Sequence, residues 1–519
     1  MTPRQSIFFI AVLFIASLLR IVALERVPYG INQDEAERGY EAYSLLTTGR
    51  DQHGHPWPLT LEAFSHENDN ASAISAYAAI PTTAIFGPGL VATRLPSALA
   101  GVLLVWATIL LGKRLCGSWN IGLLAGAALA VSPWHLTLSR LGHEAVWLPT
   151  LFSLGAVAYF SAVDRRPWLM PLAVLAWGAG FFGYGAGRLF FPLASILTVS
   201  LTFRRIHWRH PSTWVALGVV AVLLIPLLSL SANQLGAGHF QEISIFQNGV
   251  VPGLRQLGNN FLAYFNLLHW GLGQISVGPI DFLLFFFGIP LFFFSARPAG
   301  TERWFHVMLL SWLVAALLPA MLTDANPHQI RPSGLLSVLF IVGTWSIVRS
   351  SKSLVTTWLR FRWQQISAAA VGLALGAAGL VVFVQPSNFF GLGFGQANIF
   401  FAPEIHTLVA RLERTPANEV WIVDDGLNQP QIFFMLLRPW NPTTLAKDHD
   451  FEITSINWYR TTRLGRYHFC KRAQCPSSRA GAVFAEVSTG QYIGTNVLGR
   501  IPLRGFSNPH KAWVISRND

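Results

Sequence analysis

Apolar positions in this chain run together in long blocks. They follow neither the two-residue alternation of half-buried strands nor the 3.6-residue stripe of a soluble amphipathic helix. A bilayer core about 30 Å thick takes about 20 apolar residues in a helix, because backbone amides in lipid must be satisfied within their own segment. Eleven segments meet that test, at 6–24, 90–112, 120–138, 146–162, 168–184, 189–203, 213–231, 281–296, 304–322, 333–348 and 366–385. The pattern predicts an α-helical polytopic membrane protein with about 11 transmembrane helices. It excludes a soluble enzyme, a disordered chain and a transmembrane barrel, whose strands alternate over about ten residues.

The polar connections fall into two classes. One is short and basic: Lys113 and Arg114, Arg165 and Arg166, Arg204, Arg205 and Arg209, Arg297 and Arg303, then Arg349, Lys352, Arg360 and Arg362. Positive residues mark cytoplasmic connections, so this class and the N-terminus are assigned to the cytoplasm of an inner membrane. The other class, residues 25–89, 132–145, 232–280, 323–332 and the tail after about 386, is assigned to the external, periplasmic side. The first apolar run lacks a small-residue cleavage site and is followed by Arg20, so it is expected to remain as the first anchor. Only 12% of residues are charged, about half the usual share of soluble domains. The net charge of +12 is accounted for by membrane orientation, and no nucleic-acid partner is implied.

Two domains follow: residues 1–386 in the membrane with their external loops, and residues 387–519 as a small external domain. In that domain 404–414 and 430–438 read as helices, and 420–424, 465–470, 482–487 and 512–516 as strands, an α/β or α+β arrangement. Cys470 and Cys475 fit a disulfide in an oxidising compartment.

The first external loop carries adjacent acids, Asp34 and Glu35, with Glu37, Arg38 and Glu41 beyond them. Desolvation near a membrane raises a carboxylate's pKa and a neighbouring arginine lowers it, which makes such an acid a candidate general base. Ala36, Tyr40, Tyr43 and Leu46 recur at helical spacing, so an interfacial helix over 35–47 is expected along the membrane surface. Asp34 at its start serves either as that helix's cap or as the base. The second external turn supplies Arg140, His143 and Glu144, and Arg94, Arg188, His328 and Arg331 lie on the same side. Clustered basic groups beside paired acids suit a phosphate leaving group with a nearby base.

Several ordered motifs carry a resemblance: Asp34-Glu35, Thr48-Gly49-Arg50-Asp51 with Gly54, Phe86-Gly87, Arg94-Leu95-Pro96-Ser97-Ala98, Ser132-Pro133-Trp134 with Ser139-Arg140, and Pro327-His328 with Arg331. In this order they resemble the glycosyltransferases of the C fold (GT-C) that use polyprenyl-phosphate sugars, the protein O-mannosyltransferase and aminoarabinose-transferase relatives. The resemblance implies a sugar donor on a polyprenyl monophosphate and inverting transfer to an acceptor hydroxyl or amine on the external face; it names neither sugar nor acceptor. It implies Asp34 as the catalytic carboxylate with Glu35 beside it, and Glu144 as a second functional acid. Arg140, Arg331 and His328 would hold the lipid phosphate, with Arg38, Arg94, His143 and Arg188 as further substrate contacts.

One departure stands out. Relatives often carry a lysine followed by prolines in the first loop, where this chain reads Phe64-Ser65-His66-Glu67-Asn68-Asp69-Asn70-Ala71. No cofactor is implied. His53, His55, His66, Glu67 and Asp69 form a divalent-metal alternative of undistinctive spacing, set against a plain polar loop. The competing functional readings are a multi-spanning transporter, which would place ionisable groups at the bilayer midplane, and an inactive scaffold.

Overall fold

The structure, a computed structural model, describes residues 1–28, 30–62, 70–232, 244–264, 279–295, 301–324, 330–358, 401–402, 404–425, 427, 429–454, 458–476, 479–488, 490–503 and 511–518. Every apolar segment expected up to residue 348 is helical, and the segment 366–385 lies outside the described residues. The helices are α1 (Pro3–Ile21), α2 (Gln33–Thr48), α3 (Ile74–Phe86), α4 (Leu90–Cys116), α5 (Trp119–Val131), α6 (Pro133–Arg140), α7 (Trp147–Asp164), α8 (Met170–Gly183), α9 (Gly187–Thr202) and α10 (Pro211–Ala232). Then follow α11 (Val250–Tyr264), α12 (residues 279–295, with a π-helical turn at Leu284–Gly288), α13 (Thr301–Met321) and α14 (Leu335–Trp358). Among the described residues, five helices are long and apolar enough to cross a membrane, or six if α5 and α6 are one span bent by 62°. Shorter apolar helices include Ile74–Phe86, Pro167–Gly183 and Pro211–Ile225.

The chain divides into two compact units. The first comprises Met1–Val22, Ser97–Ser139 and the chain from Glu144 through α14. Its core is aromatic: the Phe152 ring meets Phe190 at 4.7 Å and Trp312 at 4.9 Å, and the buried Trp312 indole donates to Thr198 Oγ1 (2.8 Å). Helices α4 and α5 approach through glycine, since a Cβ on Gly112 would stand 2.8 Å from the Gly122 Cα. Large apolar side chains such as Ile10, Phe14, Trp214, Ile225 and Val314 stay exposed, as a lipid-facing surface requires.

The segment expected as one span over 120–138 is broken. Pro133 disfavours helical geometry at Ser132, which is extended (ψ 122°), and then opens α6 with its own pre-set φ. The break strands backbone groups, and buried charges satisfy them. Arg20 donates to Ala16 O (3.1 Å), Ala130 O (3.0 Å) and His135 Nδ1 (2.7 Å). Asp281 accepts from Ser132 Oγ (2.6 Å) and lies 3.5 Å from the Trp134 amide at the start of α6.

The second unit comprises Ala23–Pro96, Arg140–His143 and the C-terminal residues from β4 onward. In the first loop β1 (Ile31–Asn32) pairs with β4 (Phe401–Ala402), and β2 (Thr60–Glu62) pairs with β3 (Asn70–Ser72). The tail forms β5 (Val420–Val423), β6 (His449–Ile453), β7 (Tyr459–Leu464), β8 (Tyr467–Cys470), β9 (Val483–Ser488), β10 (Asn496–Pro502) and β11 (Ala512–Arg517). These make one mixed sheet in the order β10-β11-β9-β5-β8-β7-β6, with β5 parallel to both β8 and β9. Helices α15 (Ile405–Glu413), α16 (Gln431–Leu437) and the short α17 (Leu445–Asp448) complete it, and Cys470 and Cys475 are joined by a disulfide.

Protein covers the first half of the apolar stripe of α2, Ala36 and Tyr40, while Leu46 stays exposed. Ala36 and Tyr40 are buried in the same cluster as Phe433, Met435 and Leu436 of α16. A Cβ on Gly39 would come within 2.9 Å of the Leu436 side chain, and the Tyr40 hydroxyl donates to Trp440 O (3.2 Å).

Replacing Arg20 with Met should lower the stability of the detergent-solubilised protein by about 2–4 kcal/mol, because buried carbonyls at the α5 end lose a charged donor. Thermal unfolding of the purified variant checks this.

Candidate active site

Helix α2 begins at Gln33 because Asn32 caps it. The Asn32 side chain accepts from the Asp34 amide (2.9 Å), and Glu35 closes the capping box by accepting from the Asn32 amide (3.2 Å). The cap is therefore Asn32 and not the Asp34 carboxylate.

Glu35 and Arg94 are both fully buried, 0% exposed, and form a two-pronged ion pair with Arg94 Nε on Oε1 and Nη2 on Oε2 (3.0 Å). Glu35 Oε1 also accepts from the Gly142 amide (3.3 Å). Arg94 spends its other donors on Leu24 O (2.9 Å), Pro28 O (3.1 Å) and Gly30 O (2.9 Å). A guanidinium has five N–H groups, and these contacts use them. The pair expected to contribute a catalytic acid and a substrate cation instead ties three segments together: the loop 24–30, the start of α2, and the turn at Gly142.

Asp34 stands one residue away with its side chain 32% exposed, and its Oδ2 lies 3.6 Å from His143 Nε2. Arg38, four residues along α2, pairs with Glu37, and both side chains are buried. Arg140 donates to Val27 O (3.0 Å) and Ala23 O (3.2 Å), which holds the loop before α2. Of the expected residues in this unit, Asp34 and His143 thus form the accessible pair, while Glu35, Arg38, Arg94 and Arg140 are committed to protein groups.

The other expected residues belong to the first unit. Glu144 opens the short turn Glu144–Val146, and Arg331 opens the turn Arg331–Gly334. The two turns touch, with Ser333 Oγ donating to Ala145 O (3.2 Å). Arg188 is the second residue of α9, and Phe190 just beyond it packs near Gly334. The turns that carry Glu144 and Arg331 are thus in contact, and α9, which carries Arg188, packs through Phe190 against the second of them; His328 lies outside the described residues.

The fold assembles a second acid group in the first loop from Glu41 and Asp51. Glu41 is fully buried and accepts from the Gln52 amide (3.1 Å); Asp51 accepts from the His53 (3.0 Å) and His55 (2.7 Å) amides. Burial, and then the charge of Asp51, push the Glu41 carboxyl well above its usual range. The signal was present, since Glu41 is seven residues, two helical turns, beyond Asp34 on the same face. His66, Glu67 and Asp69 of the metal alternative lie outside the described residues. Among the described residues no group of three or more His, Cys, Asp or Glu could hold a metal ion.

Removing one partner of the buried pair, as in Arg94→Met, should cost about 3–5 kcal/mol, and Arg94→Met with Glu35→Met should cost less than Arg94→Met alone. Thermal unfolding of the two variants tests the pairing. An acid whose folded pKa is raised destabilises the fold as pH climbs from its unfolded value through its folded one. Glu41→Gln should therefore melt above the parent protein at pH 8 and no differently below pH 4, as read by scanning fluorimetry.

Comparison with known proteins gives concordant results. Residues 72–229 match the family described as dolichyl-phosphate-mannose-protein mannosyltransferase. The undecaprenyl phosphate-alpha-4-amino-4-deoxy-L-arabinose arabinosyl transferase of Pectobacterium atrosepticum is 26% identical over 302 residues, 56% of this chain and 50% of that protein. The chain thus matches about half the length of that curated relative. ArnT of Cupriavidus metallidurans, solved with undecaprenyl phosphate bound, shares the fold with a TM-score of 0.56 at 13% identity, over 99% of this chain and 98% of that one. The archaeal oligosaccharyltransferase AglB of Archaeoglobus fulgidus, solved with an inhibitory peptide and a dolichol-phosphate, gives 0.51 at 13% identity, over 84% of this chain and 63% of that one. The sequence matches agree with the family that the ordered motifs resemble, and the likeness to the solved structures shows the fold.

Proposed function

We propose that this chain transfers a sugar from a polyprenyl monophosphate to an acceptor at the external face of an inner membrane, with inversion at the anomeric carbon. The observation that carries this reading is Asp34. It is the accessible acid of its pair, held beside His143 on a helix start that the buried Glu35–Arg94 pair anchors. A base must reach solvent and yet be fixed in direction, and this arrangement meets both needs.

In the proposed reaction Asp34 takes the proton of an acceptor hydroxyl or amine as its oxygen or nitrogen attacks the anomeric carbon. The bond from that carbon to the phosphate oxygen breaks, and the polyprenyl phosphate leaves with the electron pair. His143 orients the Asp34 carboxylate. Arg331 and Arg188, with His328, are assigned to the lipid phosphate, where fixed cations stabilise the charge that grows as the bond breaks. Glu144 is assigned as the second acid, acting on the acceptor. Glu35, Arg94, Arg38 and Arg140 become positioning residues, because their polar atoms hold the protein frame. The printed names of the similar proteins favour a polyprenyl-phosphate donor.

The membrane assignment of residues 1–386 with 11 spans, and the external assignment of 387–519, belong to the same proposal. Two features support it. Within the first unit the basic helix ends gather: Arg114 pairs with Asp164 (2.5 and 2.6 Å), and Arg205 lies over the Trp304 ring (4.9 Å). Such a basic rim is what a cytoplasmic face carries. The first loop also shares one compact unit with the disulfide-bonded tail, which supports the reading that both lie on the oxidising side.

Transfer from a radiolabelled polyprenyl-phosphate sugar by the purified protein tests the proposal. Asp34→Asn should lower the rate by about 10²–10⁴-fold with the fold intact. Transfer at the parent rate would remove Asp34 as the base. Arg331→Ala should weaken donor binding and Glu144→Gln should slow transfer; unchanged kinetics in either removes that residue.

A further inference from the structure

The loop that follows α2 is not used by the proposed chemistry, yet it is built with care. Gly49 ends α2 in the left-handed region (φ 69°), and the chain then closes on itself through Asp51 N to His55 O (3.0 Å) and Trp57 N to Gly49 O (3.2 Å). Trp57 sits at φ 43°, a conformation that costs a bulky residue energy, and its side chain nevertheless remains exposed, the residue being 57% accessible. The indole lies parallel to the Tyr77 ring (6.1 Å, 11°). His53, on the same loop, stacks on Tyr459 of β7 (5.3 Å, 21°). One loop therefore presents two stacked aromatic planes.

Polar acceptors border these planes. Tyr459 donates its hydroxyl to Glu62, and its carbonyl accepts from Gln429 Nε2 (2.6 Å). Gln431 donates to Gln429 Oε1 (2.9 Å), while its own Oε1 has no hydrogen-bond partner among the described residues although Gln431 is only 7% exposed. A buried amide oxygen in that state awaits a donor. Desolvation lowers the His53 imidazole's pKa, and a neutral imidazole can both donate and accept.

Flat apolar faces edged by carboxylate, imidazole and amide groups match one ligand chemistry, the pyranose ring, which has C–H faces and a rim of hydroxyls that donate and accept. A lipid headgroup fits poorly, because Asp51 and Glu62 border the patch and its nearby cation, Arg50, donates to Gly54 O (2.7 Å). The distance from the base sets the ligand's length. At about 1.5 Å per residue along α2, Glu41 and its contact Gln52 lie about 10 Å from Asp34, and Gly49 under Trp57 lies about 22 Å away. A single sugar at Asp34 cannot reach that far.

We propose that Trp57, His53, Glu62, Tyr459 and Gln431 form a distal subsite for a carbohydrate acceptor of several sugar units, so that the acceptor is a glycan or glycolipid chain rather than a lone side-chain hydroxyl. This rests on the glycosyltransferase reading and deepens it by naming the acceptor class. The test uses the full chain in detergent and three probes: mannotetraose, chitotetraose and undecaprenyl phosphate, with binding read by saturation-transfer NMR and by tryptophan fluorescence. One of the tetrasaccharides should bind the parent protein. Trp57→Ala and Glu62→Gln should weaken it at least tenfold, Trp57→Tyr should retain most of it, and undecaprenyl phosphate binding should be the same in all four proteins. Failure of both tetrasaccharides to bind, or equal binding by Trp57→Ala, overturns the subsite, and so does a Trp57→Ala defect confined to association with lipid vesicles. Glycan binding without transfer from any polyprenyl-phosphate sugar would end the catalytic reading and leave the subsite; transfer without glycan binding would do the reverse.

Discussion

A buried ion pair organises the first loop of this protein. Glu35 and Arg94 lie 59 residues apart in sequence and are both closed to solvent, so neither charge is tolerable without the other. Arg94 also satisfies three loop carbonyls, and Glu35 also satisfies two backbone amides. The pair therefore fixes the start of α2 against the loop before it and the turn at Gly142. Asp34 and His143 each adjoin a residue of this frame, which gives an accessible carboxylate a fixed direction. A base on an unanchored loop would have neither constancy of aim nor a constant partner.

The first unit meets a different constraint with the same means. A proline that breaks an apolar helix leaves amides and carbonyls with no water to satisfy them. Arg20 meets the carbonyls at the end of α5, and Asp281 meets the groups at the start of α6. Buried charge in a membrane segment usually signals transport. Here each charge has backbone work to do, so the transporter alternative draws no support from it.

Arginine serves two purposes along this chain, and charge alone does not separate them. Arg94, Arg140 and Arg20 direct their N–H groups to backbone carbonyls, which costs them the freedom to hold a phosphate. Arg188 and Arg331 occupy helix and turn starts close to Glu144, where a phosphate assignment is proposed.

Much was legible in the residue order. Apolar run length identifies the helices because lipid forces each backbone to satisfy itself, and the strand-like and helical stretches of the tail indicate an α/β or α+β unit. The ordered motifs around Asp34, Arg94 and Arg140 pointed to the family because spacing along the chain is preserved when contacts are. Tertiary structure alone decided which acid of Asp34-Glu35 is accessible, that Asn32 rather than Asp34 caps α2, and that α16 rather than lipid covers Ala36 and Tyr40. It alone brought Glu41 to the Asp51 loop and Tyr459 to His53 and Glu62. The physical reason is common to all of these. Burial and hydrogen-bond saturation depend on partners distant in sequence, 59 residues away for Glu35 and Arg94 and 400 for Tyr40 and Trp440, and adjacent carboxylates of equal chemistry are told apart only by what packs against each.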